Sequence, residues 1–430
     1  MNQKLFLRYS FFFAIVYFFS NNGLAALPNL SVSFLLKEKL GLNPSQLAYF
    51  QAVTIAAWVV KPVWGFISDS FPVFGYRRKS YLIIVSLIAS IAWFSLGSVS
   101  IYTVAMLLAL ITLADFAYAF QDVVTDGLMV EVGKPHDLTG KFQSIQWSAV
   151  YLAMIITALV GGWVADLTRR DQGLISILFY AVGFFSLLTA LFSWKLVQEP
   201  KHAERNAVEK ILIRDLVKNK SLWLLSFFIF FWKFSPSVNA PFFYYAVDTL
   251  KFDGSFLGLL QGIASGAGLL GAIIFGKYFS KVSERKLLLF SVFASALMTL
   301  TDFIYFIPYL VSHSDILKTI TIIFRVPFGI VETIIHLTIL NLAARVSPRF
   351  SGGTIFALLM SFSNLGMMGS SVLGGLLFPV LGLVPLIAVS VVFTLFTVFI
   401  IPYLAINEER TAFEKMIVSV ILRRSRRISG

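Results

Sequence analysis

Twelve long apolar stretches, separated by short polar islands, run the length of the chain. They fall near residues 8–36, 45–70, 80–98, 101–131, 140–165 and 174–198, then near 221–249, 254–280, 286–309, 315–345, 352–378 and 382–405. A helix crosses the hydrocarbon core of a bilayer with about 20 apolar residues, so each stretch predicts one spanning helix. Turn signals part them: Gly41-Leu42-Asn43-Pro44, Asp166 to Gly173, Asp253-Gly254 and Ser347-Pro348. The longest polar island, Glu199 to Lys220, is linker-sized and leaves no room for a soluble domain. The pattern predicts an all-α membrane protein with 12 transmembrane helices in two pseudo-symmetric six-helix bundles. On this reading residues 1–198 form the N-terminal bundle, 199–220 a cytoplasmic linker, 221–405 the C-terminal bundle and 406–430 a basic tail.

Glycines hint at an internal duplication. Gly65 to Arg77 after the second span has an echo in Gly276 to Lys286 after the eighth, and Gly140 with Gly161-Gly162 is echoed by Gly353 with Gly374-Gly375. The offsets are 211 and 213 residues, so independent pairs agree on one register. Parallel halves of this kind are a transporter architecture, with solute held between them near the midplane.

Composition excludes a soluble protein: 58% of the 430 residues are hydrophobic and 13% charged, against about 25% charged in soluble domains. The net charge of +13 is a matter of placement. With the N-terminus inside, inner ends and loops hold 26 of the 35 Lys and Arg, outer loops 6 and membrane interiors 3. That bias predicts cytoplasmic termini, in the cell (inner) membrane if the host is bacterial. It accounts for the charge without a nucleic-acid partner. The N-terminal stretch lacks a convincing small-residue cleavage site and reads as an uncleaved first span. There is no cysteine, hence no disulfide framework and no thiolate metal site. In the tail, Phe413, Met416, Ile417, Val420 and Ile421 lie at helical spacing before Arg423, Arg424, Arg426 and Arg427. This fits an amphipathic helix on the anionic inner leaflet as well as it fits a solvated tail.

The candidate chemistry lies in charges that interrupt apolar helices. Asp115, Asp122 and Asp126 are 7 and 11 residues apart in the fourth span and return to nearly one face. Three carboxylates facing lipid would be ruinous, so they face the interior, as proton-coupling groups or as partners of interior cations. Those cations are Lys61, Lys233 and Arg325. Glu332 lies seven residues after Arg325, with His336 one turn further, and is a further candidate for proton coupling or for pairing with Arg325. Cations in both halves suit an anionic solute, and Trp58, beside Lys61, could stack a flat heterocycle. No HExxH, nucleophile elbow or Walker sequence is present, so catalytic residues, metal and cofactor are not expected and the chain does not read as an enzyme.

The stretch Gly65 to Arg78 resembles the loop 2–3 signature of the major facilitator superfamily, three residues longer than its usual form. Within that superfamily the chain resembles the folate–biopterin transporters. The resemblance is carried by Trp58-Val-Val-Lys61-Pro62, Ser68-Asp69, Phe74 to Lys79, Asp122-Val-Val-Thr-Asp126, Ser235-Pro236-Ser237 and Phe356 to Gly366. It implies a major facilitator fold and proton-coupled uptake of folates or pteridines by alternating access. On matching positions it implies substrate or coupling roles for Lys61, Asp122 and Asp126, and a cytoplasmic gate at Asp69, Arg77 and Arg78. Gly127, where the family often has Ser, and Thr125 depart from the pattern and bear on substrate choice. Expected partners are an anionic heterocycle, protons and the bilayer, with the protein a monomer. The alternatives are the same fold carrying another solute such as S-adenosylmethionine, or a transport-inactive sensor.

Overall fold

The structure is a computed structural model and describes residues 2–19, 23–201, 220–279, 282–346 and 352–404. The expected linker beyond Lys201 and the expected basic tail lie outside these residues. The described chain is helical; its β-structure is a single bridge between Val73 and Tyr76. In chain order the helices are α1 (Gln3–Phe19), α2 (Asn29–Phe34), α3 (Pro44–Val59), α4 (Lys61–Ser70), α5 (Lys79–Gly97), α6 (Val104–Gly133), α7 (Thr139–Arg170) and α8 (Gly173–Leu196). After the linker come α9 (Lys220–Lys233), α10 (Asn239–Asp248), α11 (Gly254–Lys277), α12 (Glu284–Thr301), α13 (Pro308–Ser312), α14 (Ser314–Val346), α15 (Gly352–Leu381) and α16 (Leu383–Phe396).

Eleven of the described segments are long and apolar enough to cross a membrane. The remaining expected span, the seventh, near 221–249, is split into α9 and α10. Pro236 has no N–H and its ring clashes with the preceding turn, and the residue before it is pushed out of the helical region. Backbone polar groups loosened at membrane depth need partners. Here Ser370 Oγ donates to the Ser235 carbonyl, the Ser237 N–H donates to the Ser370 carbonyl at 3.0 Å, and Ser235 Oγ meets Ser390 at 2.8 Å.

The second span breaks by the same chemistry at Val60, between α3 and α4. Pro62 cannot donate to the carbonyl four residues back, that of Trp58. Asn364 of α15 donates to that carbonyl at 3.0 Å instead, so a proline in one bundle is answered from the other.

The duplicated glycines have matching jobs. A Cβ on Gly162 of α7 would lie 2.6 Å from the Gly254 carbonyl and 2.7 Å from Gly258 Cα of α11. A Cβ on Gly375 of α15 would lie 2.8 Å from the Tyr49 ring and 3.2 Å from the Ser45 carbonyl of α3. Each half thus presents a glycine to the other at the equivalent place.

Both contacts lie at the end of the molecule remote from the linker, where charges also join the halves. Asp166 of α7 accepts from the Gly254 and Ser255 N–H groups at 2.7 Å each, placing a carboxylate at the positive N-terminus of α11. Lys37 pairs with Asp248 at 2.5 Å, and Tyr244 donates to the Leu42 carbonyl. Within the N-terminal half, Arg169 forks onto Glu38. The linker-distal end of the bundle pair is clasped.

Candidate functional site

The break at Pro62 puts Lys61 in the first turn of α4, partway through the membrane. Its ammonium lies 2.6 Å from Asp122 Oδ2 of α6 and 4.8 Å from the Trp58 ring centre. The Lys61 and Asp122 side chains are only 15% and 9% exposed. Charges this sheltered persist only with a partner, and each supplies the other's.

Asp122 Oδ1 faces a second group, the Tyr17 hydroxyl of α1, at 3.0 Å. The same hydroxyl lies 2.7 Å from Asp126 Oδ1. One hydroxyl carries one proton and two lone pairs. It cannot donate in full to two carboxylates, so both contacts become ordinary hydrogen bonds when one carboxyl carries a proton and donates to the phenol oxygen. Gln146 of α7 lies against Asp126 and is itself buried. Lys61, Asp122, Tyr17 and Asp126 therefore form a continuous polar chain across three spans.

Asp115 does not join it. It lies about two turns, or about 10 Å, further along α6, with no hydrogen bond or ion pair among the described residues. The predicted stripe of three carboxylates resolves into an adjacent pair and a separate third.

The C-terminal half contributes Lys233 at the end of α9, beside the Pro236 break and packed against Gly366 of α15. Asn364, which caps the Trp58 carbonyl, is two residues from Gly366, so α15 carries the Lys61 and Lys233 regions to neighbouring places. Glu332 of α14 is the carboxylate nearest Lys233 electrostatically, yet no ion pair joins them. Glu332 and His336 are both exposed, and their face of α14 meets the other bundle: His336 lies edge-on to Trp147 at 5.6 Å and Thr333 lies 3.5 Å from the Tyr151 hydroxyl. That face lines the space between the halves. Arg325 stands apart from this group. It packs over Phe328 at 4.9 Å, senses Asp302 as well as Glu332, and makes no ion pair with Glu332 among the described residues.

A third cluster sits at the linker-proximal end. The buried Arg78 guanidinium lies 2.5 Å from Asp69, 2.7 Å from Glu131 and 2.9 Å from Ser68 Oγ. Burial disfavours its charge, but the two carboxylates more than offset that and hold Arg78 above the ordinary arginine range. Gly127 explains how the guanidinium fits. A Cβ there would lie 2.7 Å from Arg78 Cζ, so the glycine leaves room for this arginine. Arg77 takes part through its backbone: Glu199 accepts from the N–H groups of Arg77, Arg78 and Lys79 at 2.8 to 2.9 Å, capping α5 from the far side of the bundle.

Sequence reasoning missed Tyr17, Glu131, Glu199 and the role of Asn364. Tyr17 is one of 15 tyrosines in a chain rich in aromatics and nothing local marks it. Glu131 and Glu199 sit at span ends, where a carboxylate reads as solvated.

Comparison with known proteins identifies the family and the fold. The model of the BT1 family matches residues 22–423. A Synechocystis protein named folate-biopterin transporter is 32% identical over 376 residues, covering 85% of this chain and 74% of that one. Folate transporter 1 of Plasmodium falciparum is 25% identical, covering 83% and 70%. Among solved structures, a D-xylose–proton symporter superposes with a TM-score of 0.68 at 12% identity, over 92% of this chain and 96% of its own. A nucleoside transporter superposes at 0.66 and 15%, over 93% and 98%. These are major facilitator transporters, and the likeness shows the fold. The chain is a multi-pass membrane transport protein rather than an enzyme, and it belongs to the BT1 family, the family of the folate–biopterin transporters.

Proposed function

We propose that this protein is a secondary active transporter that uses a proton gradient to take up a folate or pterin by alternating access. The observation that carries the reading is the sheltered polar chain Lys61–Asp122–Tyr17–Asp126 at a helix break, with Lys233 at a helix break of the other half. Lys61 with Lys233 supplies cations for a glutamate tail, and Trp58, already under the Lys61 ammonium, supplies a face for a pterin ring. Arg325, standing apart, serves as a more distant cation. Asp126 and Asp122 with Tyr17 hold and release the proton. When Lys61 turns to a carboxylate of the solute, Asp122 loses its partner, and protonation is the economical answer to a stranded buried charge. Solute and proton are then linked through one ion pair. Asp115 and Glu332 are secondary candidates for the proton.

The lysine and arginine bias supports a cytoplasmic linker and cytoplasmic termini. The clasp at Asp166, Gly254, Lys37 and Asp248 would then lie at the outer end, which supports reading this as an inward-facing state with Arg78, Asp69 and Glu131 as the inner gate. Residues 1–198 and 221–405 are the two rocking bundles around the 199–220 linker.

The deciding experiment is uptake of labelled folate into proteoliposomes, with and without an inward proton gradient. Gradient-driven accumulation competed by biopterin is the expected result. No uptake by folded protein, with uptake of S-adenosylmethionine instead, would overturn the cargo. Equal uptake with and without the gradient would overturn the coupling.

A further inference from the structure

A cavity of about 530 Å³ opens at the linker-proximal end of the N-terminal half, lined by Arg8, Tyr76, Lys79, Lys195, Glu199 and the chain around Gln198. It lies well away from the polar chain around Lys61, at the point where the start of α1, the start of α5 and the end of α8 converge. The walls are tied together. Arg8 donates through its Nε and one terminal nitrogen to the Leu196 and Lys195 carbonyls at 2.7 Å, and Tyr9 donates to the Gln198 carbonyl at 2.8 Å.

The cavity holds three cations and one carboxylate. That carboxylate, Glu199, is turned onto the three N–H groups at the start of α5. No carboxylate pairs with Lys79 or Lys195 among the described residues. The cavity is therefore a fixed concentration of positive charge with its one internal anion already engaged. Beside it and membrane-ward, the same helices expose large apolar side chains: Leu7, next to Arg8, and Phe11 on α1, Leu191 and Trp194 on α8. Phe11 meets Phe192 edge-on at 5.8 Å, which joins these two apolar faces into one strip.

We propose that this cavity binds the headgroup of an anionic phospholipid, with an acyl chain along the strip formed by α1 and α8. Basic pockets at helix ends beside exposed apolar surface suit that ligand chemistry: phosphate for Lys79 and Lys195, hydrocarbon for Phe11 and Trp194. A soluble phosphate would use the cations alone, whereas a lipid held by its headgroup also lays an acyl chain against the strip. The site is independent of the transported solute, because none of its residues belongs to the central cluster.

The test uses the purified full-length protein in dodecyl maltoside, titrated with dioctanoyl phosphatidylglycerol, dioctanoyl phosphatidylcholine or glycerol phosphate and followed by native mass spectrometry. Phosphatidylglycerol binds, and the Lys79→Gln/Lys195→Gln variant weakens it by about thirtyfold, the effect of two cations near a membrane surface. Lys277→Gln/Lys286→Gln, the same charge change in the other half, leaves it intact. On the parent protein, phosphatidylglycerol protects Lys79 and Lys195 from an amine-reactive reagent, a readout that needs no variant to fold. Undiminished phosphatidylglycerol binding by the Lys79/Lys195 variant, or no protection of these lysines, would overturn the proposal. Glycerol phosphate binding as tightly as phosphatidylglycerol would overturn the lipid assignment.

Discussion

Removing the Lys61 side chain while Asp122 stays in place tests the centre of the proposed mechanism. In the parent the two charges are 2.6 Å apart and largely shielded from water, and Lys61 also lies over the Trp58 ring. Deleting one partner of a buried pair strands the other, at a cost of about 3–5 kcal/mol. The lost cation–π contact adds about 0.5–1 kcal/mol. Lys61→Ala should therefore lose about 4 kcal/mol. Adding Asp122→Asn removes the stranded charge and keeps an acceptor for Tyr17, so the double variant should regain at least about 2 kcal/mol, a coupling within the usual range for contacting residues. Equilibrium unfolding in mixed dodecyl maltoside and SDS micelles, followed by tryptophan fluorescence, reads both numbers. Folate uptake is measured on the same proteins. Both variants should be inactive, because restoring stability does not restore the cation that meets the solute. The reasoning fails if Lys61→Ala costs less than about 1 kcal/mol, if Asp122→Asn adds to the loss rather than relieving it, or if Lys61→Ala transports like the parent.

Three further outcomes can be checked. Asp126→Asn leaves Tyr17 one ionisable partner, and the pH dependence of uptake should flatten; a profile identical to the parent would place the proton elsewhere. Gly127→Ala intrudes on the Arg78 guanidinium, 2.7 Å from the new Cβ, and should cost about 1–2 kcal/mol through weakened charge-assisted bonds. In an Arg78→Gln background the same change should cost almost nothing, and equal costs would refute the contact. Gly258→Leu places a Cβ 2.3 Å from the Ala158 carbonyl and should hold the linker-distal end apart. The chain has no cysteine, so a thiol introduced by Asp248→Cys reports that end directly: faster labelling in Gly258→Leu is expected, and unchanged labelling with normal uptake would refute the clasp.

The sequence made the spans legible because hydrocarbon imposes a coarse rule: each crossing needs a sustained apolar run, and charges collect where runs end. It also marked Lys61, Asp122 and Asp126, since a charge in such a run is conspicuous. What stayed hidden is three-dimensional pairing. Asp122 and Asp126 share a helix face, but only the fold shows that Tyr17 of another span bridges them and that Asp115 is left out. The expected seventh span became two half-helices because the partners that permit a break at Pro236, Ser370 and Ser390, lie more than a hundred residues away. Arg325 and Glu332 share a register without sharing a bond, since register fixes direction and not reach. Glu199 looked like the first residue of a linker and proved to cap α5, because backbone N–H groups leave no mark in a sequence.

The glycine contact of α7 with α11 has a thermal consequence. Helices that meet backbone to backbone interlock few side chains, so parting them brings little new hydrocarbon into contact with water. Heat-capacity changes scale with the apolar area exposed. If opening of this end limits turnover, the logarithm of the uptake rate should fall on a straight line against reciprocal temperature, and replacing the seam with interdigitated leucines should bend it.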